Sequence, residues 1–231
     1  MTRFRYLRLA RRHPSALLLL VQLLGLFLYP ALEDTAGGRA VFGAFGILVL
    51  ALALWVVNRS PAINWVAWLL AVPALLSSLL GTFAQLPMLA MLAQVMEAAL
   101  YFYTAASLTA YMLEDHRVTR DELYAAGATF TLLAWGFAFA FSVCQQWYPG
   151  SFTAAVDPLA PRTWVELLFL SFSVLSGVGL SDILPIQPQA RALVMLAQFA
   201  GVMYIAVVVS RLIGLTLLRT KNAGASGGDQ A

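Results

Sequence analysis

A short stretch spaced by glycines, SGVGLSD at residues 176–182, is the part of this sequence best suited to chemistry. It lies between two apolar segments, and Gly177 and Gly179 allow backbone conformations that other residues avoid. Irregular backbone is tolerated at membrane depth only where it is buried in protein or lines a water-filled path. Rings of backbone carbonyls replace the hydration shell of a cation. The stretch therefore predicts a path for cations rather than a catalytic centre.

Side chains that carry other chemistry are scarce. Cys144 is the one cysteine, which excludes a disulfide framework and a cysteine-based metal site, and the two histidines, His13 and His116, lie in charged flanks. The sequence contains no HExxH motif, no P-loop, no GxGxxG before a helix and no serine–histidine–aspartate arrangement. We therefore predict no enzyme and no cofactor. The net charge of +3 comes from arginines beside apolar segments and does not indicate a nucleic-acid partner.

The elements that position this stretch are apolar and long. Hydrophobic residues make up 61% of the chain and charged residues 11%, whereas a soluble domain has about a quarter charged residues. The mean hydropathy is +0.80. Because too few polar residues remain to cover a soluble surface, the composition predicts an all-α integral membrane protein.

Six apolar runs are predicted to be transmembrane helices, since about 20 residues cross the hydrocarbon core. They cover residues 15–32, 41–57, 63–83, 86–113, 123–147 and 190–218. The first run follows a basic arm, as in a signal peptide, but it continues through Tyr29 and Pro30 without a small-residue cleavage site. We therefore predict a retained helix. Pro73 in the third run is tolerated because neighbouring helices satisfy the freed carbonyl.

The arginines predict the orientation of these helices, because cytoplasmic flanks carry an excess of lysine and arginine. With six spans and a cytoplasmic start, the inner flanks hold the N-terminal arm, Arg59, Arg117, Arg120, Arg219 and Lys221, and the outer flanks hold Arg39, Arg162 and Arg191. Both termini are then cytoplasmic, and residues 148–189 lie on the outer side. We expect a multi-pass protein of the plasma or inner cell membrane, with membrane lipids around it.

An apolar segment, WVELLFLSFSVL at residues 164–175, is too short to span the membrane. Together with the glycine-spaced stretch that follows, it is predicted to form a re-entrant pore helix and filter loop between the fifth and sixth helices. Glu166 near its start suits the positive end of a helix dipole, and the negative end then faces the membrane centre. That arrangement favours a cation at the centre.

From residue 119 onward the chain resembles the pore module of tetrameric potassium channels, in which an outer helix, a pore helix, a filter and an inner helix follow one another. The resemblance is to bacterial ion-channel proteins with four helices before that module. The segments VTRDELYAAGATFTLLAWGFAFAF and YPGSF resemble the outer helix and its exit, and FLSFSVLSGVGLSDILP is similar without gaps to the pattern TTVGYGDxxP. Asp182, Pro185 and Arg191 fall on the post-filter residues of the family, and Gly201 falls on the glycine of its inner helix.

The filter departs from the family pattern. Ser176 and Gly177 stand where the family has threonines, and Leu180 and Ser181 replace the tyrosine and the second glycine. The resemblance implies a left-handed conformation at residue 181, which costs a non-glycine residue roughly 1–2 kcal/mol. These substitutions predict a weak preference, or none, for potassium over sodium.

By the resemblance, four copies surround one axis as a homotetramer, and the permeant ion is a monovalent cation, K+ or Na+. Residues 1–118 form a four-helix transmembrane domain, residues 119–218 the pore domain, and residues 219–231 a disordered cytoplasmic tail. The resemblance implies four roles for residues of this chain: coordinating ions in the filter, forming the outer mouth, bending the inner helix and supporting the pore helix. In that order they are Ser176, Gly177, Val178, Gly179, Leu180 and Ser181; Asp182; Gly201; and Glu166 with Phe169.

The fourth run, residues 86–113, contains no arginine or lysine, whereas a voltage sensor needs a ladder of arginines through the membrane. We therefore predict voltage-independent gating. Glu97 is the one charged residue inside this run and a candidate titratable site, because ionisable groups are costly in a membrane. The alternative is a structural carboxyl paired with Gln94 or with a neighbouring tyrosine hydroxyl.

Two functions besides a cation channel stay open from the sequence. A non-conducting membrane subunit or scaffold keeps the fold without a working filter. A small-solute transporter predicts internal repeats with paired broken helices, whereas this sequence has one broken segment. Ion flux is the property that distinguishes the channel from the scaffold.

Overall fold

The computed structural model describes residues 14–32, 48–49, 51–53, 55, 64–83, 86–114 and 120–227. The elements within these ranges are α1 (Pro14–Leu32), α2 (Asn64–Phe83), α3 (Pro87–Glu114), α4 (Arg120–Trp147), β1 (Phe152–Thr153), α5 (Trp164–Leu175), β2 (Leu184–Pro185) and α6 (Pro188–Gly227). Residues 48, 49, 51–53 and 55, inside the second predicted run, are helical as well. The described chain is therefore mostly helical, in agreement with the predicted fold class.

Three of the described helices are long and apolar enough to cross a membrane: Pro87–Leu113 in α3, Asp121–Trp147 in α4 and Pro188–Arg211 in α6. At about 1.5 Å per residue these segments are roughly 36–40 Å long, against about 30 Å of hydrocarbon. The apolar parts of α1, α2 and α5 are shorter. The length and apolar composition of these helices indicate a membrane protein.

Helix α4 lies at the centre of the described structure. Helices α1, α3, α5 and α6 all pack against it, whereas α2 packs on α3. In the most apolar part of α4, 67% of the residues are buried, but the corresponding part of α6 has 22% of its residues buried. Most of the apolar surface of α6 therefore has no partner within the described part of one protomer.

Hydrogen bonds between side chains attach the N-terminal helices to α4. From its first turn to its last, the pairs are Ser15–Asp121, Gln22–Thr131 and Gln94–Gln146, with distances between the bonded atoms of 3.1, 2.6 and 2.6 Å. Polar pairs of this kind hold helices together where water is scarce. Gln94, which the sequence offered as a partner for Glu97, bonds to α4 instead.

The end of α6 differs from the sequence prediction. A disordered tail was expected from residue 219, but α6 continues as a helix to Gly227. Each residue added to an existing helix gains one backbone hydrogen bond, and Leu218, Arg219 and Lys221 have good helix propensity. Residues 228–231 of the predicted tail lie outside the described residues.

Candidate functional site

The short helix α5 covers the residues that the sequence predicts, Trp164–Leu175, and is about 18 Å long. It contacts both α4 and α6. Ser171 Oγ donates a hydrogen bond to the carbonyl oxygen of Ala134 in α4 at 2.8 Å, and both residues are fully buried. The middle of α5 is therefore fixed against the central helix.

A capping box begins α5. Thr163 is the N-cap; its Oγ1 accepts from the amide of Glu166 at 3.3 Å, and Glu166 Oε2 accepts from the amide of Thr163 at 2.6 Å. These reciprocal bonds satisfy amide groups that have no partner inside the helix. Glu166 also places a negative charge at the positive end of the helix dipole.

Buried Arg162 organises the loop before α5. This residue is 6% exposed, and its guanidinium donates to Glu166 Oε1 and to the loop carbonyls at distances of 2.5–3.3 Å. Those carbonyls belong to Val156, Asp157 and Ala160. The Arg162 amide donates to Gln145 Oε1 at 2.7 Å, and Gln145 Nε2 donates to the Arg162 carbonyl at 3.0 Å. Arg162 thus joins the loop, the first turn of α5 and the end of α4.

The segment after α5 folds back on the last turn of that helix. Gly177 and Gly179 have φ angles of +74° and +70°, which other residues rarely adopt. The Gly179 amide donates to the carbonyl of Ser173 at 3.0 Å, and Ser176 Oγ donates to the same oxygen at 3.1 Å. The Gly177 amide donates to the Val174 carbonyl at 3.2 Å. Irregular backbone of the predicted ion path is therefore satisfied by carbonyls of α5.

One side of this segment is open in the protomer. Val178 and Leu180 are 71% and 74% exposed, and a Cβ placed on Gly177 or Gly179 meets no atom within 4 Å. Asp182 is also exposed. The predicted ion-path residues are thus brought together on an uncovered surface.

Residue 181 does not adopt the conformation that the resemblance implies. Among the described non-glycine residues, Asp157 alone has a positive φ, so Ser181 is not left-handed. Ser181 Oγ instead accepts from the amide of Ile183, which is buried, at 3.0 Å. Serine hydroxyls hold turns in this way. The expected strain of roughly 1–2 kcal/mol is absent, and that prediction is wrong.

The chain leaves the ion-path segment beside the strand that precedes the loop to α5. Strand β2 pairs antiparallel with β1, in the register Phe152 opposite Pro185 and Thr153 opposite Leu184. Arg191 Nε donates to the carbonyl of Pro185 at 3.3 Å. The loop at residues 154–163, helix α5 and residues 176–183 are therefore enclosed by one small strand pair.

Gly201 lies where α6 meets the end of α5. A Cβ on this glycine would be 2.1 Å from the carbonyl oxygen and 2.6 Å from the Cα of Leu175. Leu175 is fully buried and directly precedes the predicted ion path. Because the obstacle is backbone, only glycine allows the two helices this close. The structure thus gives Gly201 a packing role, whether or not α6 bends there.

Two other predicted residues lie within helices α5 and α3. Phe169 is 48% exposed, whereas its neighbour Leu170 is 2% exposed. Glu97 is half-buried in α3. Its role as a titratable site stays a prediction.

The network around Arg162 was missed by sequence reasoning, which treated this residue only as a charge on the outer flank. Part of the network was readable, because Thr163 and Glu166 have the spacing of a capping box and Arg162 precedes Glu166 by four residues. Gln145 gave no such signal, since it lies 17 residues before Arg162. Its role depends on how α4 meets the loop.

Residues 127–216 match the family model described as an ion channel. The matched segment runs from α4 through the loop, α5 and the glycine-spaced backbone into α6. The resemblance to the pore module of potassium-type channels is confirmed over these residues. No curated protein and no solved structure shows a significant match to the chain.

Replacing Arg162 with lysine is expected to lower the free energy of unfolding by about 2 kcal/mol, because an ammonium cannot reproduce the planar, charged hydrogen bonds of a guanidinium. Thermal unfolding of the purified protein in detergent measures the change. Arg191→Lys is the control, since Arg191 is exposed and donates to the Pro185 carbonyl. Equal effects of the two substitutions would contradict the role of Arg162.

Gly201→Ala is expected to destabilise the protein by about 1–3 kcal/mol, because the added methyl group displaces backbone at the end of α5. Gly214→Ala is the matched control on the same helix, where a Cβ meets no atom within 4 Å. That substitution should be neutral or stabilise by up to about 1 kcal/mol through helix propensity. An unchanged unfolding temperature for Gly201→Ala would show that the close contact is not required.

Proposed function

We propose that this protein is a cation channel in which residues 176–181 form the ion path. One observation carries the proposal: a short capped helix leads directly into glycine-spaced backbone with left-handed glycines, between two helices long enough to span a membrane. This arrangement falls inside the segment that matches an ion-channel family model. In the proposed channel, backbone oxygens of residues 176–181 replace the hydration shell of an ion.

The electrostatics of α5 suit a cation. Its C-terminal end carries the negative pole of the helix dipole and leads into the ion path. Glu166 neutralises Arg162 at the other end, so the buried guanidinium leaves no unpaired positive charge in the loop. Asp182, exposed just after the path, adds a carboxylate at the outer mouth. Rings of such carboxylates attract cations.

A single protomer cannot enclose an ion path, and four copies are proposed to surround it as a homotetramer. Two observations support assembly: the open side of the path at Val178 and Leu180, and the largely uncovered apolar surface of α6. The pore domain, residues 119–218, then follows a four-helix domain, residues 1–118, in a six-span protein with both termini in the cytoplasm. Residues 164–182 form its re-entrant segment.

Gating in this proposal is independent of voltage, because α3 carries no lysine or arginine between its ends. Gly201 is the proposed gating position of α6. Since its backbone rests on Leu175, any bending or shift of α6 at Gly201 displaces the residue that precedes the ion path. The contact therefore gives α6 a direct mechanical connection to the filter.

Cation flux into liposomes that hold the purified protein tests the channel function. We expect uptake of K+ or Na+ by the unmodified protein and by Gly214→Ala. Gly179→Ala should abolish or strongly reduce uptake, because alanine is strained at the φ of +70° that this position requires. Absence of flux at every tested pH, membrane tension and lipid composition would overturn the proposal in favour of a non-conducting scaffold.

Selectivity between potassium and sodium is expected to be weak. Leu180 lacks the hydroxyl of the tyrosine in potassium filters, and Ser181 is not left-handed as the corresponding glycine is. In planar bilayers with opposed K+ and Na+ gradients, the reversal potential should lie near zero. Leu180→Tyr combined with Ser181→Gly should shift it toward the potassium equilibrium potential. A reversal potential that already follows potassium alone in the unmodified protein would contradict this expectation.

A further inference from the structure

Four aromatic rings connect α3 to the start of α5. Tyr101 of α3 stacks on Phe139 of α4, with 5.6 Å between ring centroids and 9° between planes, and packs on Trp135 at 5.8 Å. Trp164, the first residue of α5, packs on the same two rings, 5.1 Å from Trp135 and 5.6 Å from Phe139. We call Tyr101, Trp135, Phe139 and Trp164 the ring cluster. It bridges the four-helix domain and the pore helix.

The ring cluster is placed to transmit a displacement. Tyr101 and Trp135 are each 1% exposed, so neither ring can move aside into solvent. Protein interiors are close-packed, and a shift of one large ring therefore moves its neighbours. Aromatic pairs also prefer specific relative orientations, which fixes the angle as well as the distance between them.

Trp164 is the point at which such a displacement reaches the pore. It directly follows Thr163, the N-cap of α5, and precedes Glu166, which completes the capping box. At the other end of this helix, the carbonyl of Ser173 holds the amide of Gly179. A tilt of the first turn of α5 therefore alters the support of the ion path.

We infer that Tyr101 is a positioning residue for the pore helix, through which the four-helix domain sets the placement of α5. Glu97 lies one helical turn before Tyr101 on α3. A rearrangement of α3 near Glu97 therefore reaches α5 through Tyr101. The effect on conduction rests on the proposed channel function. The effect on α5 itself does not.

Hydrogen exchange of the full-length protein in detergent tests the inference. The informative amides are those of Glu166 and Leu167, which donate to Thr163. Tyr101→Leu should raise their exchange rates roughly threefold to tenfold, because the first turn of α5 opens more often when a ring contact is lost. Tyr101→Phe keeps the ring, and its exchange rates at these amides should equal those of the unmodified protein.

A second buried position on the same helix serves as the control that separates positioning from general loosening of the core. Leu108 is 1% exposed on the same helix, about two turns beyond Tyr101. Leu108→Ala should lower the unfolding temperature without a selective change at Glu166 and Leu167. Equal exchange at these amides in Tyr101→Leu and in the unmodified protein, or an equal rise in Leu108→Ala, would overturn the inference.

Flux in liposomes then distinguishes this inference from the proposed function. In a conducting protein, Tyr101→Leu should change the rate of cation uptake severalfold, whereas Tyr101→Phe should leave it unchanged. An altered exchange rate in a protein that shows no flux would support the positioning role and overturn the channel. Flux with unaltered exchange in Tyr101→Leu would support the channel and overturn the positioning role.

Discussion

Peptide groups that leave a helix inside an apolar region must find hydrogen-bond partners within the protein, and this requirement shapes the candidate site. The partners here are carbonyls of the last turn of α5, above all that of Ser173, which accepts from both the Gly179 amide and Ser176 Oγ. Left-handed φ angles at Gly177 and Gly179 accompany this return of the chain. The position of the proposed ion path is thus determined by the position of α5.

Helix α5 is in turn held at its start, middle and end by different kinds of interaction. The loop before it contains a buried guanidinium, which is costly unless it is paired and hydrogen-bonded. Arg162 meets this requirement through Glu166 and the loop carbonyls, while Ser171 bonds to α4 and Leu175 lies under the backbone of Gly201. A helix of twelve residues cannot move at one of these points without disturbing the others. The positioning role that we infer for Tyr101, a residue distant in sequence, depends on this coupling along α5.

The sequence was informative where a local pattern dictates structure. An apolar run too short to span, followed by a serine and two spaced glycines, was enough to predict both ends of α5 and the irregular backbone after it. The pairing of Gln145 with Arg162 and the ring cluster could not be read in the same way, because they depend on how α3, α4 and α5 meet in space. The conformation of Ser181 was predicted wrongly because the resemblance supplied a backbone angle, whereas the serine hydroxyl offers the chain a local turn. The glycine and serine residues at the end of α6 predict disorder, whereas the helix that precedes them continues into them.

The backbone at the two ends of the proposed ion path is held by different kinds of hydrogen bond. Toward α5, the path keeps glycines with positive φ, and its amides bond to helix carbonyls, so backbone geometry alone determines where oxygens lie. Toward Asp182, a side-chain hydrogen bond from the Ile183 amide to Ser181 Oγ determines the turn. A carbonyl at residue 181 therefore does not lie where a left-handed residue would direct it. Selectivity between ions of similar charge depends on the number and placement of such oxygens, whereas attraction of cations needs only their negative potential. In the proposed channel, the inner part of the path is consequently the part that holds a cation, and the outer part accounts for the weak selectivity between potassium and sodium that we propose.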